Sequence, residues 1–93
     1  MCGIFAYINN QPITDEQKTI LEKEFYKSQM RGPDNSITKH SKYVYLGFHR
    51  LSINGLENGN QPMEHPEDKD ITLICNGEIY NYKELAAQYN CNL

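Results

Sequence analysis

A thiol lies at the start of the chain, where it could act as a nucleophile. Cys2 follows the initiator methionine, so removal of Met1 would leave one residue with both a sulfur and a free α-amine. Free α-amines and thiols titrate within about two pH units of neutrality, and an N-terminal nucleophile can be activated by its own amine. Cys2 is therefore a candidate nucleophile. The alternative is a small, buried and inert residue of an edge strand, which is a common state of free cysteine.

Two later segments carry groups that could bind a substrate. Arg50 follows an apolar run that predicts a strand, and a planar guanidinium there could hold a carboxylate through two parallel hydrogen bonds. The alternative is an arginine that closes a strand with its head group in water. Asn76 and Gly77 form a dipeptide typical of a two-residue hairpin turn. Glu78 would then be an exposed charge at a strand edge.

The chain is short and mildly acidic. Its 93 residues allow at most one small domain, and nine basic against twelve acidic residues give a net charge of −3. This charge argues against a nucleic-acid-binding surface. No apolar stretch approaches the roughly 18 residues of a membrane span, and the N-terminus lacks the basic and apolar pattern of a secretory signal. The sequence therefore predicts a cytoplasmic protein without nucleic-acid or membrane partners.

The cysteines and histidines do not have the spacing of a metal site. An odd number of cysteines cannot pair completely, and none has C-x-x-C or C-x-x-H spacing, which favours free thiols in a reducing compartment. The cysteines are Cys2, Cys75 and Cys91. The histidines are scattered and are predicted to be solvated or hydrogen-bonded at the surface: His40, His49 and His65. We expect no bound metal.

The first half of the chain predicts a strand, a helix and a second strand. Residues 3–8 (GIFAYI) form a short apolar run bounded by turn residues, as in a buried strand. Thr14 and Gln17 have the spacing of a capping box, and a helix should follow over about 15–28. Its apolar side chains at helical spacing are Ile20, Leu21 and Phe25. Residues 43–49 (YVYLGFH) alternate as a strand does, with Val44, Leu46 and Phe48 on one face.

The second half predicts a long loop, a hairpin and a short helix. Residues 54–69 contain several glycine, proline and polar residues, which indicate a loop. The apolar run 71–75 would pair with residues 78–80 around the Asn76 and Gly77 turn. Asn81 and Glu84 could cap a helix that reaches Tyr89. Strands that face amphipathic helices predict an α+β fold.

Five short motifs appear in the order seen in class II glutamine amidotransferases. They are residues 1–4 (MCGI), 31–34 (RGPD), 47–53 (GFHRLSI), 59–63 (GNQPM) and 76–82 (NGEIYNY). The chain most closely resembles the N-terminal glutaminase domain of glutamine-hydrolysing asparagine synthetases. The resemblance implies an N-terminal-nucleophile hydrolase fold, a four-layer αββα sandwich whose first strand delivers the cysteine to the active site.

The resemblance also implies a role for each candidate residue. Cys2 would attack the glutamine side-chain amide, release ammonia and form a thioester that water resolves, once Met1 has been removed. The Asn76 side chain and the Gly77 backbone N–H would form the oxyanion hole. Arg50 would bind the substrate carboxylate and Glu78 its ammonium group. The residues that line the glutamine pocket would be Leu51, Ser52, Ile53 and Asn54.

The resemblance covers nearly all of this chain but only about the first half of the family's glutaminase domain. Residues 1–93 are therefore expected to be a partial type 2 glutamine amidotransferase domain, an incomplete sandwich. The family's second acidic residue, downstream of Asn-Gly-Glu, has no match here. The synthetase domain is also missing, and it is there, not in this segment, that the family uses ATP and Mg²⁺.

Two classes of function follow from the resemblance. In the first, the chain is the glutaminase part of an asparagine synthetase-like protein, which takes L-glutamine and supplies ammonia to a synthetase domain or partner chain. In the second, the chain is a non-catalytic remnant or interaction fragment of such a domain. An amidotransferase with another ammonia acceptor is a third alternative, because the acceptor domain is missing.

Overall fold

A computed structural model describes residues 2–51 and 60–91 of the chain. The first range contains strand β1, helix α1, a short 3₁₀ helix and strands β2 and β3. The second range contains strands β4 and β5 and helix α2. In chain order the bounds are β1 Gly3–Ile8, α1 Asp15–Tyr26, the 3₁₀ helix Gln29–Arg31, β2 Asn35–His40, β3 Val44–Arg50, β4 Met63–Glu64, β5 Thr72–Leu73 and α2 Tyr82–Gln88.

The larger sheet is antiparallel, with β3 at its centre and the strand order β1-β3-β2. In the β1–β3 pair Gly3 lies opposite His49 and Ile8 lies opposite Val44. In the β2–β3 pair Asn35 lies opposite Arg50. The predicted strand 3–8 is confirmed, and the strand predicted over 43–49 is shifted by one residue.

Helix α1 covers one face of this sheet. Thr14 and Gln17 form the predicted capping box, with the Gln17 N–H donating to Thr14 Oγ1 at 3.1 Å and the Thr14 N–H donating to Gln17 Oε1 at 2.9 Å. Leu21 and Phe25 are buried against the sheet, whereas Ile20, which the helical spacing grouped with them, is 60% exposed. The buried apolar cluster consists of Ile13, Leu21, Phe25 and Tyr45, with Phe5 and Tyr7 packed against it. Burial raises the pKa of the Tyr45 phenol above its ordinary value.

The opposite face of the sheet is also apolar. The register pairs Ile4 with Phe48, Ala6 with Leu46 and Ile8 with Val44. These six side chains share one face because residues alternate along a strand. Ile4 is 49% exposed and Ile8 is 75% exposed, whereas Phe48 is buried. The prediction that Val44, Leu46 and Phe48 share a face is confirmed, but this face lies away from helix α1.

The second range, 60–91, contains little regular structure. The two-residue strands β4 and β5 pair with each other, Met63 opposite Leu73. The predicted hairpin around Asn76 and Gly77 is therefore wrong, because β5 pairs with the preceding segment and residues 78–80 form no strand. Helix α2 forms where it was predicted. Asn81 is its N-cap residue but makes no capping bond through its side chain.

Strand β2 was not predicted, and the loop predicted over 54–69 contains β4. Residues 35–40 (NSITKH) alternate polar and apolar side chains too weakly to indicate a strand without knowledge of the neighbouring β3. The overall prediction of an α+β arrangement is confirmed by the mixture of two sheets and two helices.

Candidate functional site

The Cys2 thiol lies at the end of the β1–β3 pair, against the backbone of Leu51. The Leu51 N–H donates to Cys2 Sγ at 3.4 Å, and the Cys2 thiol lies 3.8 Å from the Leu51 carbonyl oxygen. Cys2 is half-buried. The first strand therefore brings the candidate nucleophile to the segment that was predicted to line the glutamine pocket. Ser52, Ile53 and Asn54 of that segment lie outside the described residues.

Arg50 is the last residue of β3 and not the first residue beyond it. The β1–β3 register, continued by one residue from Gly3 and His49, places Cys2 opposite Arg50. Both side chains then project from the sheet face that carries Ile4 and Phe48. Arg50 is only 6% exposed, so the alternative of a strand-end arginine with its head group in water is wrong.

The backbone of the 31–34 motif supports the strand end that carries Arg50. A Cβ atom on Gly32 would overlap the carbonyl group of His49 and the backbone of Arg50. The Asp34 N–H donates to the Arg50 carbonyl oxygen at 3.0 Å. Glycine is required at position 32 by this close approach, which explains the motif as a structural support for β3.

His49 is a supporting residue that sequence reasoning placed wrongly at the surface. Its ring is fully buried and stacked on Phe25, with ring centroids 3.9 Å apart. Nε2–H donates to the Phe25 carbonyl oxygen at 2.8 Å, and Nδ1 lies 2.7 Å from Ser36 Oγ. His49 thus joins the end of α1, β2 and β3 beside Arg50. No local sequence signal indicates this, because the partners are 13 and 24 residues away.

Asn76, Gly77 and Glu78 are all exposed. Apart from its chain neighbours, Cys75 Sγ is the only described atom within 4 Å of a Cβ built on Gly77, at 4.0 Å, so a side chain would have room at this position. Glu78 lines an open depression with Ile79, Tyr80 and Tyr82. Among the described residues, no hydrogen bond joins Asn76, Gly77 or Glu78 to Cys2 or Arg50. The structure brings Cys2, Arg50 and Leu51 together and leaves the other three on a separate segment.

Asn60 and Gln61 connect these two segments, and we call the pair the amide bridge. Asn60 Oδ1 accepts hydrogen bonds from Arg50 Nη1 at 3.0 Å and from Asn35 Nδ2 at 3.2 Å. Gln61 Nε2 donates to the Cys75 carbonyl oxygen at 3.1 Å, and Gln61 Oε1 accepts from the Cys75 N–H at 2.6 Å. The sequence marked this segment as a motif but gave no sign of which groups it would contact.

A small ionic cluster holds the β4–β5 sheet beside β2. Lys39 Nζ lies 2.9 Å from Glu64 Oε1 and donates to Thr72 Oγ1 at 2.8 Å, and Lys69 Nζ lies 3.4 Å from Glu64 Oε2. Hydrogen bonds from Lys39 and Lys69 lower the pKa of the Glu64 carboxyl. The residues that the structure describes include no group of three histidine, cysteine or acidic side chains placed to hold a metal ion.

Neither of the two described helices has the length and apolar character needed to cross a lipid bilayer.

Comparison with known proteins identifies the family. Residues 1–92 match the family model described as a glutamine amidotransferase domain. The glutamine-hydrolyzing asparagine synthetase 1 of Bacillus subtilis is 41% identical over an alignment of 87 residues that covers 91% of this chain and 14% of that protein. Asparagine synthetase 2 of the same bacterium is 42% identical over 89 residues, 94% of this chain and 12% of that protein.

A third relative comes from a eukaryote. The probable glutamine-hydrolyzing asparagine synthetase of Dictyostelium discoideum is 43% identical over 89 residues, 91% of this chain and 15% of that protein. No solved structure matches the chain significantly. The three alignments cover 91–94% of this chain. The chain thus spans only 12–15% of the length of these relatives. With the family model covering residues 1–92, the chain belongs to the glutamine amidotransferase domain family.

Proposed function

We propose that the chain provides the glutaminase function of an asparagine synthetase-like protein: it hydrolyses the side-chain amide of glutamine and supplies ammonia for asparagine synthesis. The observation that carries the proposal is the position of Cys2 Sγ, 3.4 Å from the Leu51 nitrogen and across the sheet register from Arg50. A nucleophile and a carboxylate-binding cation then share one end of one sheet face. The names of the relatives support glutamine as the substrate.

The reaction would begin at the Cys2 sulfur, after removal of Met1 exposes the α-amine as a base. Sγ would attack the amide carbon of the glutamine side chain and give a tetrahedral intermediate with a negatively charged oxygen. Asn76 Nδ2 and the Gly77 N–H would donate to that oxygen, and the loss of one such donor costs about 2.7–4 kcal/mol in comparable sites. The carbon–nitrogen bond would then break as the Cys2 α-ammonium returns the thiol proton to the leaving nitrogen, which departs as ammonia. Water would hydrolyse the Cys2 thioester to glutamate and free thiol.

Recognition of the free amino acid would use two opposite charges. The Arg50 guanidinium would bind the α-carboxylate, since its planar donors match two carboxylate oxygens. Glu78 would bind the α-ammonium group. The backbone of Leu51 would line the pocket, as would Ser52, Ile53 and Asn54 by the family resemblance. In this proposal ATP and Mg²⁺ act in a separate ammonia-accepting synthetase domain, and the protein is cytoplasmic.

We propose further that the three-stranded sheet forms part of a four-layer αββα sandwich. One face is already covered by helix α1. The opposite face presents Ile4, Ala6 and Ile8 to solvent, together with half-buried Val44 and Leu46. An apolar sheet face normally packs against a second layer, and in the proposed fold this layer would be the second sheet.

One observation favours a second candidate function, a non-catalytic fragment that keeps the family motifs. The proposed oxyanion donors Asn76 and Gly77 lie on an exposed segment, and among the described residues they make no hydrogen bond to the Cys2 end of the site. In this alternative the two halves of the site would not close around glutamine.

The test is release of ammonia from L-glutamine by the purified chain, with removal of Met1 established by intact mass. We expect release in the wild type, loss to the level of the buffer blank in Cys2→Ala, and retained release in the matched control Cys91→Ala. Cys91 has an exposed thiol near the end of α2 and no part in the proposed site.

Two results would contradict the glutaminase proposal. A folded chain that has lost Met1 and releases no ammonia supports the non-catalytic alternative. Release that is equal in wild type and Cys2→Ala means that another group does the chemistry.

A further inference from the structure

The amide bridge reaches both halves of the candidate site with two consecutive side chains. Asn60 Oδ1 accepts from Arg50 Nη1 and from Asn35 Nδ2, and Asn35 lies opposite Arg50 in the β2–β3 register. Gln61, the next residue, hydrogen-bonds to both backbone groups of Cys75. The amide bridge therefore contacts both the end of β3 and Cys75, the residue before Asn76. It thereby sets the distance between β3 and Cys75.

The Gln61 contact restricts the backbone that leads to the proposed oxyanion donors. The Cys75 carbonyl and the Asn76 N–H belong to the same planar peptide unit. A hydrogen bond from Gln61 Nε2 to the Cys75 carbonyl oxygen at 3.1 Å thus orients that whole unit. Only the φ and ψ angles of Asn76 then separate the fixed plane from the Gly77 N–H.

These two hydrogen bonds matter because little else holds the segment. Residues 76–79 are exposed, lie in no helix or strand, and make no hydrogen bond of their own among the residues that the structure describes, so the nearest bonds are those of Gln61 to Cys75. Packing contributes little to their position, since Ala86 is the only buried apolar residue in the described range 60–91. Among the described residues, the constraint on this segment is the pair of hydrogen bonds between the Gln61 amide group and Cys75.

We propose that Asn60 and Gln61 are positioning residues for glutamine hydrolysis, an inference that rests on the proposed function. Gln61 orients the Cys75–Asn76 peptide and thereby the two oxyanion donors. Asn60 holds the Arg50 guanidinium in the place where it receives the substrate carboxylate. Neither side chain needs to touch the reacting atoms. We therefore expect substitution of Gln61 to lower kcat and substitution of Asn60 to raise the KM for glutamine.

The experiment compares Gln61→Ala, Gln61→Glu and Asn60→Ala with the exposed control Gln11→Ala. Gln61→Glu keeps the size of the side chain and the acceptor for the Cys75 N–H but loses the donor to the Cys75 carbonyl. We expect kcat to fall about 10- to 100-fold in both Gln61 variants, since small misplacements of catalytic groups cost this much. We expect Asn60→Ala to raise KM several-fold, and Gln11→Ala to leave both constants unchanged.

A second readout is independent of activity. Amide hydrogen exchange at Cys75 should be at least about 10-fold faster in Gln61→Ala than in wild type, because the N–H loses its acceptor, whereas exchange in the centre of β3 should stay the same. If Gln61 only held its own segment against Cys75, Gln61→Ala would accelerate exchange at Cys75 without changing kcat.

The outcomes separate the two proposals. Unchanged exchange at Cys75 in Gln61→Ala overturns the bridge, and a kcat within twofold of wild type overturns its positioning role. A wild-type chain that releases no ammonia overturns the proposed function and with it any catalytic meaning of the bridge, whereas the exchange measurement still decides whether the bridge exists.

Discussion

The two described ranges of this chain are held together in different ways. Range 2–51 contains a sheet, a capped helix and five of the six buried apolar residues of the described chain, whereas range 60–91 contributes only Ala86 to that set. Large apolar side chains in the second range are exposed: Met63, Ile71, Leu73, Ile79, Tyr80, Tyr82 and Tyr89. The first range is stabilised by burial, and the second is attached mainly through polar contacts.

The candidate site is divided along the same line. Cys2 and Arg50 lie at the end of packed strands, supported by the buried ring of His49 and the close approach of Gly32. Asn76 and Gly77 lie on an exposed segment reached through the amide bridge. The half that contains the candidate nucleophile is therefore held by packed strands, whereas the half that contains the proposed anion-stabilising groups depends on a few hydrogen bonds.

The largest difference should appear when the same leucine truncation is made in each range. Leu21→Ala removes a buried side chain and should lower the free energy of unfolding by about 2–5 kcal/mol. Leu73 is 56% exposed, so Leu73→Ala should change it by less than about 0.5 kcal/mol. Urea unfolding followed by far-UV circular dichroism measures both. Equal losses would mean that the second range is packed as tightly as the first.

Substitution of alanine for glycine should also lower the free energy of unfolding more in the first range than in the second, but by less than the leucine truncations. Gly32→Ala forces a Cβ into the backbone of His49 and Arg50 and should destabilise the fold by about 1–3 kcal/mol. The matched variant Gly77→Ala places its Cβ 4.0 Å from the nearest atom and should stay within about 0.5 kcal/mol of wild type. Thermal unfolding of the two variants tests this, and a destabilised Gly77→Ala would show that residue 77 is more crowded than described.

Helix caps provide a third matched pair. Thr14→Ala removes the hydroxyl that accepts the Gln17 N–H in the capping box and should cost about 1 kcal/mol. Asn81→Ala removes a side chain that makes no capping bond and should cost only about a few tenths of a kcal/mol. Chemical denaturation of both variants decides the order. If Asn81→Ala proved the more costly, the start of α2 would be better fixed in solution than its contacts indicate.

The smallest effect concerns pH and the attachment of the β4–β5 sheet. Lys39 and Lys69 lower the pKa of Glu64 below its ordinary value of 4.5. A depressed carboxyl pKa in the folded state contributes stability above the unfolded value, and this contribution is lost as the pH falls through the folded value. Attachment of this sheet should therefore weaken only below about pH 4.5.

Amide chemical shifts of His65 and Ile71, recorded from pH 7 downwards, follow this attachment, since the His65 N–H donates to the Ile71 carbonyl oxygen. The variant Glu64→Gln should lack the acidic transition. A transition of the same size in that variant would assign it to another carboxyl group.

Sequence patterns predicted the first range well because its signals are local. The apolar run of β1, the capping box at Thr14 and the alternation along β3 each lie within a few residues. Strand β2 was not predicted, because its side chains are mostly polar and it is recognisable as a strand only through its pairing with β3. Local patterns cannot report a partner that is distant in sequence.

The same reason explains the errors in the second range. Asn76 and Gly77 have the local signature of a hairpin turn, but β5 pairs with β4, which precedes it in the chain. The Cys75 N–H donates to Gln61 Oε1 and so is not available to a strand after Gly77. For the candidate site, the motifs indicated the family, which the family model over residues 1–92 confirms, and the roles of the single residues stay predictions. The motifs did not indicate that His49 is buried or that Asn60 contacts Arg50, since both depend on contacts across the fold.

The antiparallel register between β1 and β3 has a consequence for how this chain can vary. Neighbouring residues of a strand point to opposite faces, so an insertion or deletion of a single residue between Cys2 and Ile8 would turn the thiol toward helix α1 or drive Phe5 into water. The number of residues between Cys2 and Phe5 is thus fixed by the strand register. Changes of length should therefore be excluded from residues 2–8.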